Sequence, residues 1–457
     1  MTQRRARLTE GPVGRHLIDM TVPVLFGITM MMGQSLIDTW FVGLVGDREL
    51  AAYSFGFPVI MMVMSVAIGL GAGTSSVVAR AIGAGKNRRA RRLSTDALIL
   101  SFIATAIIAA IGILTINPLF RLLGAPEDML PMIWEFMTIL YCGVPFMVVG
   151  MVGMASMRAT GDTRLPSLLM VMTAILNVIL DPILIFGLGP IPAMGLNGAA
   201  TAALIARGVI FFGTLYLMRS RFRMISFKRP HPKELADSCR DVLHVGIPAA
   251  GTNVIVPLGA TIVTAMIARF GPDAVAGFGV ASRIETMMLV MYYAMSSIIG
   301  PFVGQNLAAG KQDRILRSLW LCTAFCLGSG LAIAALLALL SGVLPGFFSD
   351  SEQVTGVTQL FLWIVPISYG TYGMVMVMNA AFNGMGRPMP GVWISTSRIL
   401  VLYVPLAMVG MFFFDVTGIF VAYSVANIVT GFVAYIWARS TVNRLCMRTE
   451  AAAASAH

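Results

Sequence analysis

The stretch VPVLFGITMMMGQSLIDTWFVGLVG at residues 22–46 decides the fold, because it returns in altered form as IPAAGTNVIVPLGATIVTAMIARFG at residues 247–271. Each copy exceeds the roughly 20 apolar residues that a helix needs to cross a hydrocarbon core. Pro23 lines up with Pro248 and Gly46 with Gly271. The same offset of 225 residues pairs Gly85-Lys86 with Gly310-Lys311 and Gly161 with Gly386. A chain that repeats in this way is a duplicated membrane bundle. Many transporters are built so, with the substrate path between the repeats near the bilayer midplane.

The rest of the chain agrees. Hydrophobic residues make up 57% of it and charged residues 12%, against about 25% charged in a soluble domain, so a soluble core is excluded. Apolar runs fall at 16–41, 54–79, 97–119, 133–156, 166–188 and 198–218, then at 243–269, 278–303, 316–344, 357–380, 391–413 and 418–438. The expected fold is an all-α integral membrane protein of twelve transmembrane helices in two repeated six-helix lobes. The lobes span 1–218 and 242–440, joined by a cytoplasmic linker at 219–241 and followed by a cytoplasmic tail at 441–457 whose last residues, 451–457, are expected to be disordered.

Cytoplasmic loops retain Lys and Arg. One side carries Arg4, Arg5, Arg7 and Arg15, the loop GKNRRARR at 85–92, Arg158, Arg164, the connector from Arg219 to Arg240, Lys311, Arg314, Arg317, Arg387, Arg439, Arg444 and Arg448. The other has only Arg48, Arg121 and Arg269 near its loops. Both termini are therefore expected in the cytoplasm. The net charge of +11 follows from this topology and from contact with anionic lipid, so no nucleic-acid partner is expected. The first span is too long for a signal-peptide core and lacks a small-residue cleavage site. Five cysteines (Cys142, Cys239, Cys322, Cys326, Cys446) lie where disulfides are disfavoured and form no metal pattern with the histidines. Cys322 and Cys326 read as packing residues.

Three acids lie well inside apolar runs, Asp38, Asp181 and Glu285, while the rest sit at run ends or in loops. An ionisable group at such depth costs a few kcal/mol and is a functional candidate by default. Gln34 precedes Asp38 by four residues and Asn177 precedes Asp181 by four, so each amide shares a helix face with its acid. Both helices run outward from the cytoplasm and both acids come late in them, which places them at similar depth, able to meet in one chamber. Pro182 frees the carbonyl of Val178 beside Asp181. Desolvation and mutual repulsion both disfavour full ionisation of such a pair, the physics a proton carrier needs. The competing reading is structural pairing with amides or with a buried arginine. Arg207 reads as structural or as a counter-ion, and Arg398 as snorkelling towards the cytoplasm. Glu285 is a possible second coupling site or a packing residue. The many methionines, 33 in all, include Met30–Met32, Met61, Met62, Met64 and the stripe Met287, Met288, Met291 and Met295. They suit a surface that repacks around different ligands, or simply face lipid. Gly69, Gly71 and Gly73 allow close helix approach and are not a nucleotide loop.

Four segments together resemble the multidrug and toxic compound extrusion (MATE) transporters. They are LIDTWFVGLVG at 36–46, the GAGK turn, MRATGDTRLP with NVILDPILIFG within 157–187, and RIETMM through VGQNLAAGK within 283–311. The resemblance covers nearly the whole chain and is nearest the prokaryotic branch related to DNA-damage-inducible protein F. It implies coupling protons on Asp38 and Asp181, with Asn177 and Thr201 as polar neighbours. The sodium-coupled relatives use acids in helices seven and ten, but 246–268 and 353–414 contain none. The implied function is efflux of amphipathic, often cationic xenobiotics in exchange for protons, driven by the proton gradient with no cofactor and no metal, by a monomer in the bacterial inner membrane among its lipids. A sodium-coupled drug antiporter and a flippase for lipids or lipid-linked sugars are the alternatives. An intramembrane enzyme would need a clustered nucleophile or metal constellation, and a channel would repeat its pore residues, whereas Asp38 aligns with Val263.

Overall fold

The computed structural model describes residues 7–188, 192–226 and 232–454, with side chains through Leu445. Arg4, Arg5, the centre of the expected linker at 227–231, the side chains of Cys446 and Arg448, and residues 455–457 lie outside the described residues.

The first seven long helices are α1 (Val13–Val45), α2 (Asp47–Gly83), α3 (Asn87–Leu114), α4 (Leu130–Arg158), α5 (Arg164–Phe186), α6 (Leu196–Ser220) and α7 (Pro232–Ile267). The eighth span, α8, is a bent pair, Pro272–Met288 and Val290–Ala308, with 44° between its halves. Then follow α9 (Gln312–Leu340) and α10 (Glu352–Gly384). The final apolar stretch, Met389–Leu445, is 57 residues long. As one helix at about 1.5 Å per residue it would be far longer than a bilayer is thick. It breaks at Phe414 and Asp415, where Asp415 takes φ 50°, a left-handed conformation unusual outside glycine. The chain folds back there, with Gly410 against the Gly418 backbone and the Tyr403 and Tyr423 rings 5.0 Å apart. We denote residues 389–413 as α11 and 416–454 as α12, which makes twelve spans among the described residues.

The repeat is visible in the backbone. Gly85 and Gly310 adopt φ 73° and 70°, and Gly161 and Gly386 adopt 88° and 73°. At the first pair the cap is the same in both copies: Lys86 N donates to Ala81 O and Lys311 N to Asn306 O, both at 2.9 Å. This six-to-one bond with a left-handed glycine is the Schellman ending that satisfies orphan helix carbonyls.

The chain divides into two compact units, Val22–Ala250 in one and the described residues of Ala6–Thr21 and Gly251–His457 in the other. The expected linker is short, since α6 ends at Ser220 and α7 begins at Pro232, with Pro at the helix start, where its missing N–H is no loss. In the first unit α7 lies directly on α2: a side chain at Gly69 would meet the Gly246 carbonyl, and one at Gly73 the Val242 carbonyl. Gly71 makes only ordinary contact with Ala155, 3.6 Å away, so two of the three glycines read as approach points serve as such. In the second unit the segment before α1 is held by side chains the sequence marks only as topological. Arg314 donates to Gly11 O at 2.6 Å and to Leu8 O at 2.9 Å, and Lys311 to Thr9 O at 2.8 Å. The helical backbone continues through Ala454, so the backbone of residues 441–454 runs on from α12.

Candidate functional site

In the first unit α1 and α5 bring the polar residues of their apolar spans together. Asn177 and Asp181 are each 1% exposed, and Gln34 and Asp38 are half-buried. Asp181 lies one helical turn beyond Asn177 on α5. Gln34 Nε2 donates to Asp38 Oδ2 at 3.1 Å and to Asn177 Oδ1 at 2.8 Å, and the third side of the triangle, from Asn177 to Asp38 Oδ1, is 3.0 Å. Thr201 turns its hydroxyl to the Asn197 carbonyl of its own helix at 2.8 Å. Arg207 forms no ion pair among the described residues; its Nη1 donates to Leu140 O at 3.2 Å, and it lines a small apolar pocket with Val63, Met137 and Tyr141.

The triangle ties the orientation of its amides to the protonation of Asp38. With Asn177 Oδ1 facing Gln34 Nε2, that oxygen also lies 3.0 Å from Asp38 Oδ1, and two oxygens so close need a hydrogen between them. Turning the Asn177 amide gives Asp38 a donor but sets two amide nitrogens face to face at 2.8 Å. Turning the Gln34 amide as well cures that clash and places Gln34 Oε1 against Asp38 Oδ2, where a hydrogen is again required. Closing all three contacts at once takes a proton on Asp38, whereas the turned Asn177 amide gives up the Gln34 contact, accepts from Ala203 N at 3.2 Å and leaves Asp38 an acceptor.

The sequence reading missed a second buried charge in this unit. Asp96 stands just outside an apolar run, yet its side chain is 0% exposed and pairs with Arg92, itself 12% exposed, at 3.0 Å. The Arg92–Asp96 spacing of one helical turn was the available signal.

In the second unit Glu285 accepts a hydrogen bond from Tyr423 Oη at 2.8 Å. Arg398 does not snorkel. It is 3% exposed, donates through Nη1 to Asn427 Oδ1 at 3.0 Å and lies over the Tyr372 ring at 4.5 Å. It sits in a π-helical segment, Ser397–Tyr403. Asn427 and Tyr423 were missed, although polar side chains inside the last apolar run were a readable signal.

The family comparison repeats the duplication, since the model described as MatE matches the chain twice, over residues 23–183 and 248–409. The chain belongs to the MatE family. A similar relative is the FAD transporter of Shewanella oneidensis, 38% identical over 98% of this chain and 99% of its own. A second is the probable multidrug resistance protein YoeA of Bacillus subtilis, 24% identical over 92% of each chain. Among solved structures, the Vibrio cholerae MATE transporter VcmN in the bent form superposes with a TM-score of 0.90 at 32% identity, covering 95% of this chain and 98% of that one. As a MATE protein the chain belongs to a family of multi-pass membrane transporters whose relatives are named for small-molecule export.

Proposed function

We propose that this MATE protein exports organic compounds in exchange for protons, with Asp38 and Asp181 as the proton-carrying pair. The observation that carries the reading is the Gln34–Asp38–Asn177 triangle, whose three contacts close only around a protonated Asp38. Loss of that proton breaks one contact and loosens α1 from α5. Protonation closes the triangle again and withdraws the negative charge that a cationic substrate would use. Substrate and proton then compete for one set of groups, which is the reciprocal coupling an antiporter requires. Efflux of amphipathic xenobiotics agrees with relatives named as multidrug resistance proteins. Exposed Met30, Met61 and Met62 add adaptable apolar surface in the same unit. Export of FAD is the second reading, favoured by the full-length relative of that name. The driving force is the proton gradient, and the protein works as a monomer in the bacterial inner membrane with both termini in the cytoplasm.

The test uses inverted membrane vesicles loaded with no substrate and given ethidium or FAD outside. A pH gradient, acid inside, should drive uptake of one of them, and a sodium gradient at constant pH should not. Uptake driven by sodium alone overturns the proton assignment. Uptake of FAD without ethidium selects the second reading.

A further inference from the structure

Arg398 is a buried cation with no ion pair among the described residues. Its guanidinium is 3% exposed, and its hydrogen bond is made through Nη1 to the neutral amide of Asn427 at 3.0 Å. Its Nε is buried with no partner. Asn427 is itself committed, since its Nδ2 donates to Ser368 Oγ at 3.1 Å, so it cannot swing to serve Nε. Glu285, in the same unit, forms no ion pair with Arg398 among the described residues and accepts a hydrogen bond from Tyr423 Oη at 2.8 Å. A buried charge held by one neutral hydrogen bond and one ring face is a costly arrangement that a folded chain keeps where a partner completes it.

The open part of the guanidinium defines that partner. With Nη1 taken, the edge formed by Nε and Nη2 is the fork that matches two oxygens of a carboxylate or phosphate in a planar, bidentate contact. Around it stand ring faces: Tyr372 beneath the guanidinium at 4.5 Å, and Tyr403 packed on Tyr423 with centroids 5.0 Å apart. Such rings stack on planar groups and offer little to a small inorganic ion. The π-helical turn at Ser397–Tyr403 presents Arg398 and Tyr403 from one segment, and such turns recur at functional sites. We infer that this cluster in the second unit is a binding site for an aromatic substrate bearing a carboxylate or phosphate, with Arg398 receiving the acidic group and the tyrosines the ring.

The inference is independent of proton coupling in the first unit, and its test needs no gradient. Riboflavin and flavin mononucleotide share one fluorescent ring and differ by a phosphate, so their affinities for the purified full chain in detergent can be compared by fluorescence anisotropy. Flavin mononucleotide should bind at least about tenfold more tightly than riboflavin. Arg398→Gln should bring the two affinities within about twofold of each other, and Arg398→Lys should keep part of the preference. Equal affinities in the wild type overturn the inference, and that result stands even if Arg398→Gln does not fold. A phosphate preference that survives in a folded Arg398→Gln variant overturns it too. Excess phosphatidylglycerol should leave flavin mononucleotide bound; displacement by the lipid would give the fork to a headgroup phosphate and refute the substrate assignment.

Discussion

Replacing Asp38 by asparagine should leave the protein folded and at least as rigid, yet uncoupled. An amide at position 38 supplies what the protonated carboxyl supplies: its Nδ2 donates across the 3.0 Å side to Asn177, and its Oδ1 accepts from Gln34 Nε2 across the 3.1 Å side. All three contacts survive, so the expected stability change is within about 1 kcal/mol, the net worth of one such bond. Alanine at the same place removes two contacts and should cost about 2 kcal/mol on that scale. Thermal unfolding of the purified variants, followed by loss of monodisperse protein, should rank Asp38→Asn with or above wild type and Asp38→Ala below both. Efflux driven by a pH gradient should be lost in both. The reasoning fails if Asp38→Asn melts as low as the alanine variant, because the triangle would then not be complementary to a protonated group. It fails equally if Asp38→Asn still exports against a gradient when expressed at the wild-type level.

Asp181→Asn should keep equilibrium binding of a lipophilic cation within roughly tenfold, about 1.4 kcal/mol, while losing the proton release that accompanies binding; loss of binding with proton exchange intact would make Asp181 a substrate counter-ion. Removing the arginine of the buried Arg92–Asp96 pair leaves the carboxylate uncompensated, so Arg92→Met should lower stability by about 3–5 kcal/mol, whereas the double change Arg92→Met with Asp96→Leu should recover most of it, as thermal unfolding would register. Gly73→Leu should prevent α2 from meeting the Val242 backbone and abolish accumulation of folded protein in the membrane; normal expression and transport would refute the assigned close approach.

Much of this molecule can be read from its sequence because a bilayer constrains so tightly. Backbone groups in hydrocarbon must be satisfied within the chain, so each long apolar run has one outcome, a helix. The repeat adds the turns: Gly85 and Gly310 announce matched caps before any coordinates exist. The contact of α1 with α5 through Gln34, Asp38 and Asn177 agrees with the helix directions and depths read from the sequence, and the amides at one-turn spacing follow from helix geometry. The failures have physical causes as well. Arg398 was assigned to the surface on the ordinary behaviour of long basic chains, and the π-turn it sits in leaves no mark in hydropathy. Arg314 and Lys311 were read as topological charge, because nothing in composition says that the carbonyls of residues 8–11 come back to meet them. Asp96 was set aside by a run boundary drawn one residue beyond it.

The two copies share a scaffold and divide the chemistry. Carrying the constant offset through the triangle, Gln34, Asp38, Asn177 and Asp181 correspond to Gly259, Val263, Leu402 and Leu406. The second copy therefore has none of the four polar groups, and Val263 is 1% exposed. Its version of the Gln34 position is filled from outside, since a side chain at Gly259 would lie 2.7 Å from Ile399. In the other direction, Arg398 corresponds to Thr173 and Asn427 to Ala202, and Thr173 spends its hydroxyl on the Leu169 carbonyl at 2.9 Å. What the copies do share are the glycine caps and the spacing of the spans, which set where helices end. A buried carboxyl needs donors supplied from a neighbouring helix, and a buried guanidinium needs a ring and an amide. Neither set can be placed by changing one residue. Duplication of the backbone thus left each copy free to lose the other's site, and the acid pair and the lone arginine are best understood as separate instruments carried on one repeated frame.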